Sequence, residues 1–460
     1  MAKKVITSKK QSKKAKPVED SIEVSKVGDG NAIAAGRGAK ATSIVINFFG
    51  GKWQLAISFI AIILAIGGYY LWTELFPAKM TGDFRVAVAD FALTENSTEK
   101  GSVIELSQGV YQKLDQSLSE IDKDLVVTVW SPDKVGKIEG NTPEERALSA
   151  EKIAHKIGAD VVVYGLIDTS QPIWKITPEF YVVSDNFYEA EEITGHYQIG
   201  NTFNLEGQDS IKRRIELSTK YEARAQVISR ITIGLAYFAL RNYHTSLTMF
   251  QSAEDISGLV DNQEDKVLHL LAGNAAMKAN EFDIAISELN KSLSIDPNYA
   301  RPLITLGSVY YLQSLEPFEK TKKTDDIDLG LLDKAIEQYK QALSKDSQQD
   351  LSDIPTKAHF GLGQCYLLQS YSGMDKSLKD AVDQFNIVIV NYADGKNPRI
   401  RVLAAESHAR LGLIYHLSGN YDNAAKEYKL AVDLLFDNPE RQKQYQDKVK
   451  ELSLKTGVTP

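Results

Sequence analysis

One cysteine in 460 residues, Cys365, leaves no possibility of an intrachain disulfide, so whatever folds here is held by packing alone. Catalytic signatures are missing as well. There is no His-Glu-x-x-His, no Gly-x-Ser-x-Gly and no phosphate-binding loop ending in Gly-Lys-Ser/Thr, and the seven histidines are dispersed. The chain therefore reads as a non-enzyme without a cofactor; an unrecognised hydrolase between residues 84 and 205 is the competing idea that survives. Net positive charge is confined to the amino terminus. Residues 1–52 hold eleven Lys and Arg against four Asp and Glu, a net charge of +7. The whole chain carries −8, so residues 53–460 carry −15. A surface of that sign repels phosphates, which argues against a nucleic-acid partner.

Long apolar runs are absent with one exception, Trp53 to Trp72, in which no residue ionises. A helix of this length spans about 30 Å, the hydrocarbon thickness of a bilayer. Trp53 marks one interface, and Tyr69, Tyr70 and Trp72 the other. The stretch predicts a single transmembrane helix; a buried core helix and a cleaved signal peptide are the competing accounts. The basic flank places residues 1–52 in the cytoplasm and the long acidic remainder outside, in a single-pass cell-membrane topology. Ala61, Ala65 and Gly68 share one face of the span and would allow homo-oligomer contact through it.

The lysine-rich start of the arm has no periodic apolar face and is expected to be disordered. Residues 27–46 alternate glycines with small apolar residues. They fit no G-x-G-x-x-G pattern, and they read either as a linker or as a short β-forming segment that stacks with copies of itself. GDGNAIAAGRG within this stretch resembles the short glycine-and-asparagine motifs at the termini of some bacterial signalling proteins.

Residues 73–83 form a linker, and a mixed region then runs from 84 to 205. FRVAVADFAL, DLVVTVW and GADVVVYGLI read as strands. Between them GSVIELSQGVYQKLDQSLSEI is amphipathic, and NTPEERALSAEKIAHKIG is a helix capped by Thr142 with Pro143 in its first turn. IWKITPEFYVVS and EITGHYQIG would extend the sheet in antiparallel fashion. This order, with GADVVVYG following an amphipathic helix, resembles the amino-terminal domain family of the translocation protein TolB. The resemblance implies a binding and assembly module without catalytic residues.

From Ile211 to about residue 453 helical periodicity replaces the strand signal and repeats itself. Gly234 and Tyr237 precede Phe250 and Ala253; Gly273 precedes Ala285, Leu289 and Pro297. Leu306, Gly307 and Tyr310 precede Ala335, Tyr339 and Ala342; Leu362, Gly363 and Tyr366 precede Ala381 and Phe385. The clearest copy holds Leu411, Gly412, Tyr415, Ala424, Tyr428 and Ala431. The pattern is identified as the tetratricopeptide repeat, in five copies. Small residues let helices approach, and the aromatics fill the groove between hairpins. EPFEKTKKTDDIDLG interrupts the third copy as an insertion, and NPERQKQYQDKVKELSLK reads as a capping helix. The predicted fold class is thus multidomain: a transmembrane helix, a small α/β domain and an all-α solenoid.

By resemblance to the repeat family, ligands lie on the concave face made by the first helix of each hairpin. That register turns Asn274, Arg301, Ser308, Tyr311, Gln364 and His416 inward, toward a protein or peptide partner. Asn274 with Arg301 resembles part of a carboxylate clamp whose other positions are absent. His408 and His416 lie two turns apart on one helix with no carboxylate set nearby in sequence, so no metal site is expected, and Cys365 reads as a packed thiol. The function these features imply is a membrane-anchored, extracytoplasmic interaction scaffold. The alternative is a single-pass signalling receptor whose outside ligand clusters the cytoplasmic arms.

Overall fold

The computed structural model describes residues 26–27, 30–31 and 78–456, apart from 95–99, 120–125, 169–173, 185–186, 188–189, 200–201, 206–209, 262–264, 346–353, 374, 394, 396–399 and 437. The expected span with its boundary residues Trp53 and Trp72, and most of the 27–46 stretch, lie outside the described residues. Among the described residues no helix is long and apolar enough to cross a membrane. The chain divides into two units, Met1–Pro77 and Ala78–Pro460. In the first, the described residues form an antiparallel pair, β1 (Lys26–Val27) with β2 (Gly30–Asn31).

The second unit begins with a mixed sheet. Its strands are β3 (Phe84–Val88), β4 (Ala92–Leu93), β5 (Val127–Trp130), β6 (Val161–Asp168), β7 (Trp174–Val182), β8 (Gly195–Gln198) and β9 (Phe203–Leu205). The order is β5-β3-β6-β7-β8, with β4 beside β6 and β9 beside β7. β5, β3 and β6 run parallel, while β7 and its neighbours are antiparallel. Parallel neighbours need crossovers, and helices α1 (Lys100–Ser119), α2 (Pro132–Val135) and α3 (Pro143–Ile157) lie in them. The Thr142 side chain accepts from the Glu145 amide and Glu145 answers to the Thr142 amide, a complete capping box at the start of α3.

Successive strand residues face opposite ways, and the two faces have different destinies. Phe84, Val86, Val88, Val161, Val163, Phe180 and Val182 pack with Val110, Leu114 and Leu118 of α1 in a core that continues into the helical region. Ala87, Val162, Tyr164 and Tyr181 close against Ala147, Ala150 and Ala154 of α3. Two local readings need correction. Residues Glu191–Ile193 form a 3-10 turn rather than the start of a strand, because the Ile193 and Thr194 amides fold back onto the Ala190 and Glu191 carbonyls. β9, paired with β7, is a further strand that the sequence pattern did not mark.

The helices that follow are α4 (Ser210–Ala239), α5 (Tyr243–Asp261), α6 (Lys266–Lys278), α7 (Phe282–Ile295), α8 (Ala300–Thr321), α9 (Leu329–Ser344), α10 (Ile354–Tyr371), α11 (Asp375–Tyr392), α12 (Arg401–Leu417), α13 (Tyr421–Leu434) and α14 (Pro439–Thr456). They pair as hairpins in sequence order, and α14 covers the last pair. In each hairpin the glycine of the first helix abuts the large residue of the second. A Cβ on Gly234, Gly273, Gly307 or Gly363 would lie 2.5–2.7 Å from Phe250, Leu289, Tyr339 or Phe385. The insertion in the third hairpin is largely a continuation of α8 to Thr321, followed by a 3-10 turn at Thr324–Asp326 and an Asp328 cap on α9.

Candidate functional site

Helices α6, α8 and α10 are the first helices of consecutive hairpins, and all three contact the Glu191–Ile193 turn of the sheet domain. The face expected to receive a partner is therefore met there by the chain's own residues 190–197. Beneath it the contact is apolar: Phe187 tilts against Phe238 of α4 with ring centroids 6.0 Å apart, and Ile193 joins the same core.

Charge supplies the specific part. Arg301 of α8, only 1% exposed, donates from Nη1 to the Thr194 carbonyl at 2.9 Å and to the Glu192 carbonyl at 3.3 Å. Its guanidinium lies 4.3 Å from the centre of the Tyr197 ring. Gly195 holds φ at +95°, and a Cβ there would come within 3.3 Å of Arg301 Nη2. Lys357 of α10 pairs with Glu191 and stands 4.0 Å from Glu192 Oε2. Among the described residues neither Glu192 carboxylate oxygen finds a hydrogen bond. Burial pushes the Glu192 carboxyl above the usual carboxylate range, Lys357 pulls it down and the neighbouring Glu191 charge adds to the rise.

Of the six residues expected in the groove, one, Arg301, belongs to this internal contact region. Arg301 is a bond to the sheet domain rather than an open ligand position. Asn274 is fully buried, giving its Nδ2 to Thr305 Oγ1 at 3.1 Å and the Leu270 carbonyl at 3.0 Å. Ser308 bonds Tyr339 Oη at 3.1 Å, so it serves the hairpin core. Tyr311 is half-buried, and burial pushes its hydroxyl up to about 12. Gln364 and His416 are half-buried on α10 and α12, and the His416 ring stands edge-on to Tyr421 at 5.7 Å. Cys365 is fully buried, which raises its thiol pKa and suits packing.

A second arrangement escaped the sequence reading. His269, His359 and His408 each stand four residues before a hairpin glycine, Gly273, Gly363 and Gly412. Each points Nδ1 across its hairpin at 2.7 Å to the residue just before the large one: Glu288, Gln384 and Glu427. The carboxylate near His408 was not visible in sequence because it comes from the next helix, nineteen positions on. The recurring offset of histidine from glycine was the available signal.

At His269 the pattern gains a member. Glu254 of α5 brings Oε1 to 3.2 Å from His269 Nδ1, and Lys291 of α7 sits 2.9 Å from Glu288 Oε1. The donor atoms of Glu254, His269 and Glu288 all lie within 4.8 Å of one another. Burial works to lower the His269 pKa, but the two carboxylates outweigh it and push it up to about 9.

Comparison with known proteins agrees with the repeat assignment. The tetratricopeptide-repeat family model matches residues 267–299 and 405–434, so the helical region carries tetratricopeptide repeats. The chain is similar to a thermophilic TPR protein of Thermus thermophilus, at 21% identity and a TM-score of 0.34, over 48% of this chain and 98% of that one. It is also similar to a TPR repeats protein of Bacteroides fragilis, at 17% identity and a TM-score of 0.19, over 52% of this chain and 90% of that one. No curated protein matches the chain.

Proposed function

We propose that this chain is a protein–protein interaction scaffold, held at a membrane by residues 53–72, whose repeats recruit a protein or peptide partner on the outer side. The observation that carries the reading is the helical region itself: its hairpins present a row of first helices, and two of them already hold a polypeptide segment through Arg301 and Lys357. With Asn274 and Arg301 taken up internally, the positions offered to an outside partner shift toward the carboxyl-terminal hairpins, Gln364 and His416.

A photo-crosslinking residue placed at Gln364 or His416 in the intact membrane protein is expected to capture a partner that mass spectrometry identifies. The same residue at Arg301 is expected to crosslink only within the chain. Capture at position 301, or none at 364 and 416, would sink the assignment. The anchoring rests on the apolar run Trp53 to Trp72 and on the basic flank before it. Protease added outside intact cells should remove the repeats; digestion confined to the arm would invert the topology and move the partner to the cytoplasm.

A further inference from the structure

We infer that Glu254, His269 and Glu288 form a binding site for a divalent transition-metal ion of the zinc class, at the junction of the first two hairpins. The site is independent of the partner reading above. Its three donors come from three successive helices, α5, α6 and α7, so an ion there would tie one hairpin to the next. One imidazole nitrogen and two carboxylate oxygens, with no thiolate, suit zinc or manganese rather than a soft copper(I) site.

The geometry asks for a cation. Glu254 Oε1 and Glu288 Oε2 both converge on His269 Nδ1, at 3.2 and 2.7 Å. A ring nitrogen carries a single hydrogen, and that hydrogen serves Glu288. Glu254 Oε1, a buried atom, is left with the charge of the His269 ring at 3.2 Å as its partner and no hydrogen bond of its own among the described residues. An ion bonded to all three would satisfy both carboxylates together, replacing the proton on Nδ1. Zinc bonds of about 2.0–2.2 Å set tetrahedral donors about 3.4 Å apart, so the present spacings need only small side-chain rotations to open around it. Lys291 on the other oxygen of Glu288 orients that carboxylate from outside, as outer partners of metal ligands do.

The other two histidines of the same register show what is special here. Glu254 lies four residues after Phe250; the matching positions after Tyr339 and Phe385 are Leu343 and Ile389. His359 and His408 thus have one cross-hairpin acceptor each and an aliphatic residue where the third donor would be. A hairpin that needed only packing would keep the aliphatic residue.

The test is titration of the metal-free full-length protein in detergent with zinc chloride, read by calorimetry and by the melting temperature. One zinc per chain and a rise in melting temperature are expected. Glu254→Gln keeps the His269–Glu288 contact and should weaken zinc binding at least tenfold. His408→Asn should leave it unchanged. His269→Asn should abolish it, with circular dichroism showing that the variant remains folded; if that variant does not fold, Glu254→Gln decides alone. Absence of saturable zinc binding by the wild-type chain, equal binding by Glu254→Gln, or loss on His408→Asn overturns the assignment.

Discussion

Arg301 and Arg401 make the same contact in two parts of the solenoid, and burial separates their worth. Each guanidinium stands 4.3 Å from the centre of an aromatic ring, Tyr197 for Arg301 and Phe436 for Arg401. Each also donates to backbone carbonyls, Arg301 to Glu192 and Thr194 and Arg401 to Leu434. Tyr197 is 3% exposed and belongs to the core that joins sheet to repeats, whereas Phe436 is 68% exposed. A cation over a ring is worth about 2 kcal/mol or more when dry and about 0.5–1 when wet. The same repeat architecture therefore uses its first-helix face for internal docking near α8 and leaves a softer surface near α12.

The largest effect should come from breaking the dry member of that pair. Arg301→Ala removes the donor of two buried carbonyls along with its ring contact and side-chain packing, a loss of about 3–5 kcal/mol. Urea unfolding would measure it, and hydrogen exchange should show early opening of residues 191–198. Arg401→Ala should cost about 1 kcal/mol or less. Equal costs for the two would show that the sheet domain is not held by this contact.

Next comes the tightness of the hairpins themselves. A Cβ at Gly273 would lie 2.6 Å from Leu289 Cγ in the middle of the buried α6–α7 pair. Gly273→Ala should destabilise by about 1–2 kcal/mol, the overpacking penalty less the gain in helix propensity. A melting temperature that stays the same or rises would mean that Leu289 can swing away.

Glu192 sharpens the comparison from the electrostatic side. Its folded pKa is raised, so the proton is held more tightly in the folded state than in the unfolded one. The contribution to stability is complete below the ordinary carboxylate pKa and is lost as pH climbs through the raised value. Glu192→Gln should accordingly change little at pH 4 and stabilise by about 1 kcal/mol at pH 8, because it removes a buried carboxylate that has no hydrogen bond. Unfolding curves at the two pH values check the sign; destabilisation at pH 8 would show that Lys357 compensates the charge fully.

The hairpins were legible in sequence because their code is local: Gly412, Tyr428 and Ala431 sit at fixed offsets, and packing at those offsets is what they do. Strands β3, β5, β6 and β7 were legible for a similar reason, since alternation such as Phe84, Val86 and Val88 against Ala87 records two buried faces. What could not be read is contact between distant segments. Arg301 and Thr194 are 107 positions apart and Lys357 and Glu191 are 166 apart, so no periodicity links them. Arg301 was consequently read as a groove position, whereas its guanidinium is bonded to the sheet domain. The histidine register lies between these cases: its offset from glycine is local, but the Glu254 that completes one copy comes from the preceding hairpin.

The smallest expected effect is also the most discriminating, because it asks whether all hairpins are equally tight. Gly412 stands across from Tyr428 as Gly273 stands across from Leu289, yet an added Cβ would lie 3.1 Å from the Tyr428 ring instead of 2.6 Å from Leu289 Cγ. At that distance the ring must give by a few tenths of an ångström. Tyr428 stacks on Tyr445 of the capping helix with centroids 6.0 Å apart, and that helix has only one fully buried apolar side chain, Leu452, among the described residues. Its neighbour can therefore yield in a way that Leu289, enclosed in the main core, cannot. Replacing Gly412 by Ala also gains about 0.5–1 kcal/mol of helix propensity. The two terms nearly cancel, so Gly412→Ala should leave stability within about 0.5 kcal/mol of the parent, while protection of α14 in hydrogen exchange falls slightly as the ring shifts. A loss as large as that of Gly273→Ala would show that the last hairpin is locked as firmly as the first ones, and that openness near α12 is a property of its surface rather than of its packing.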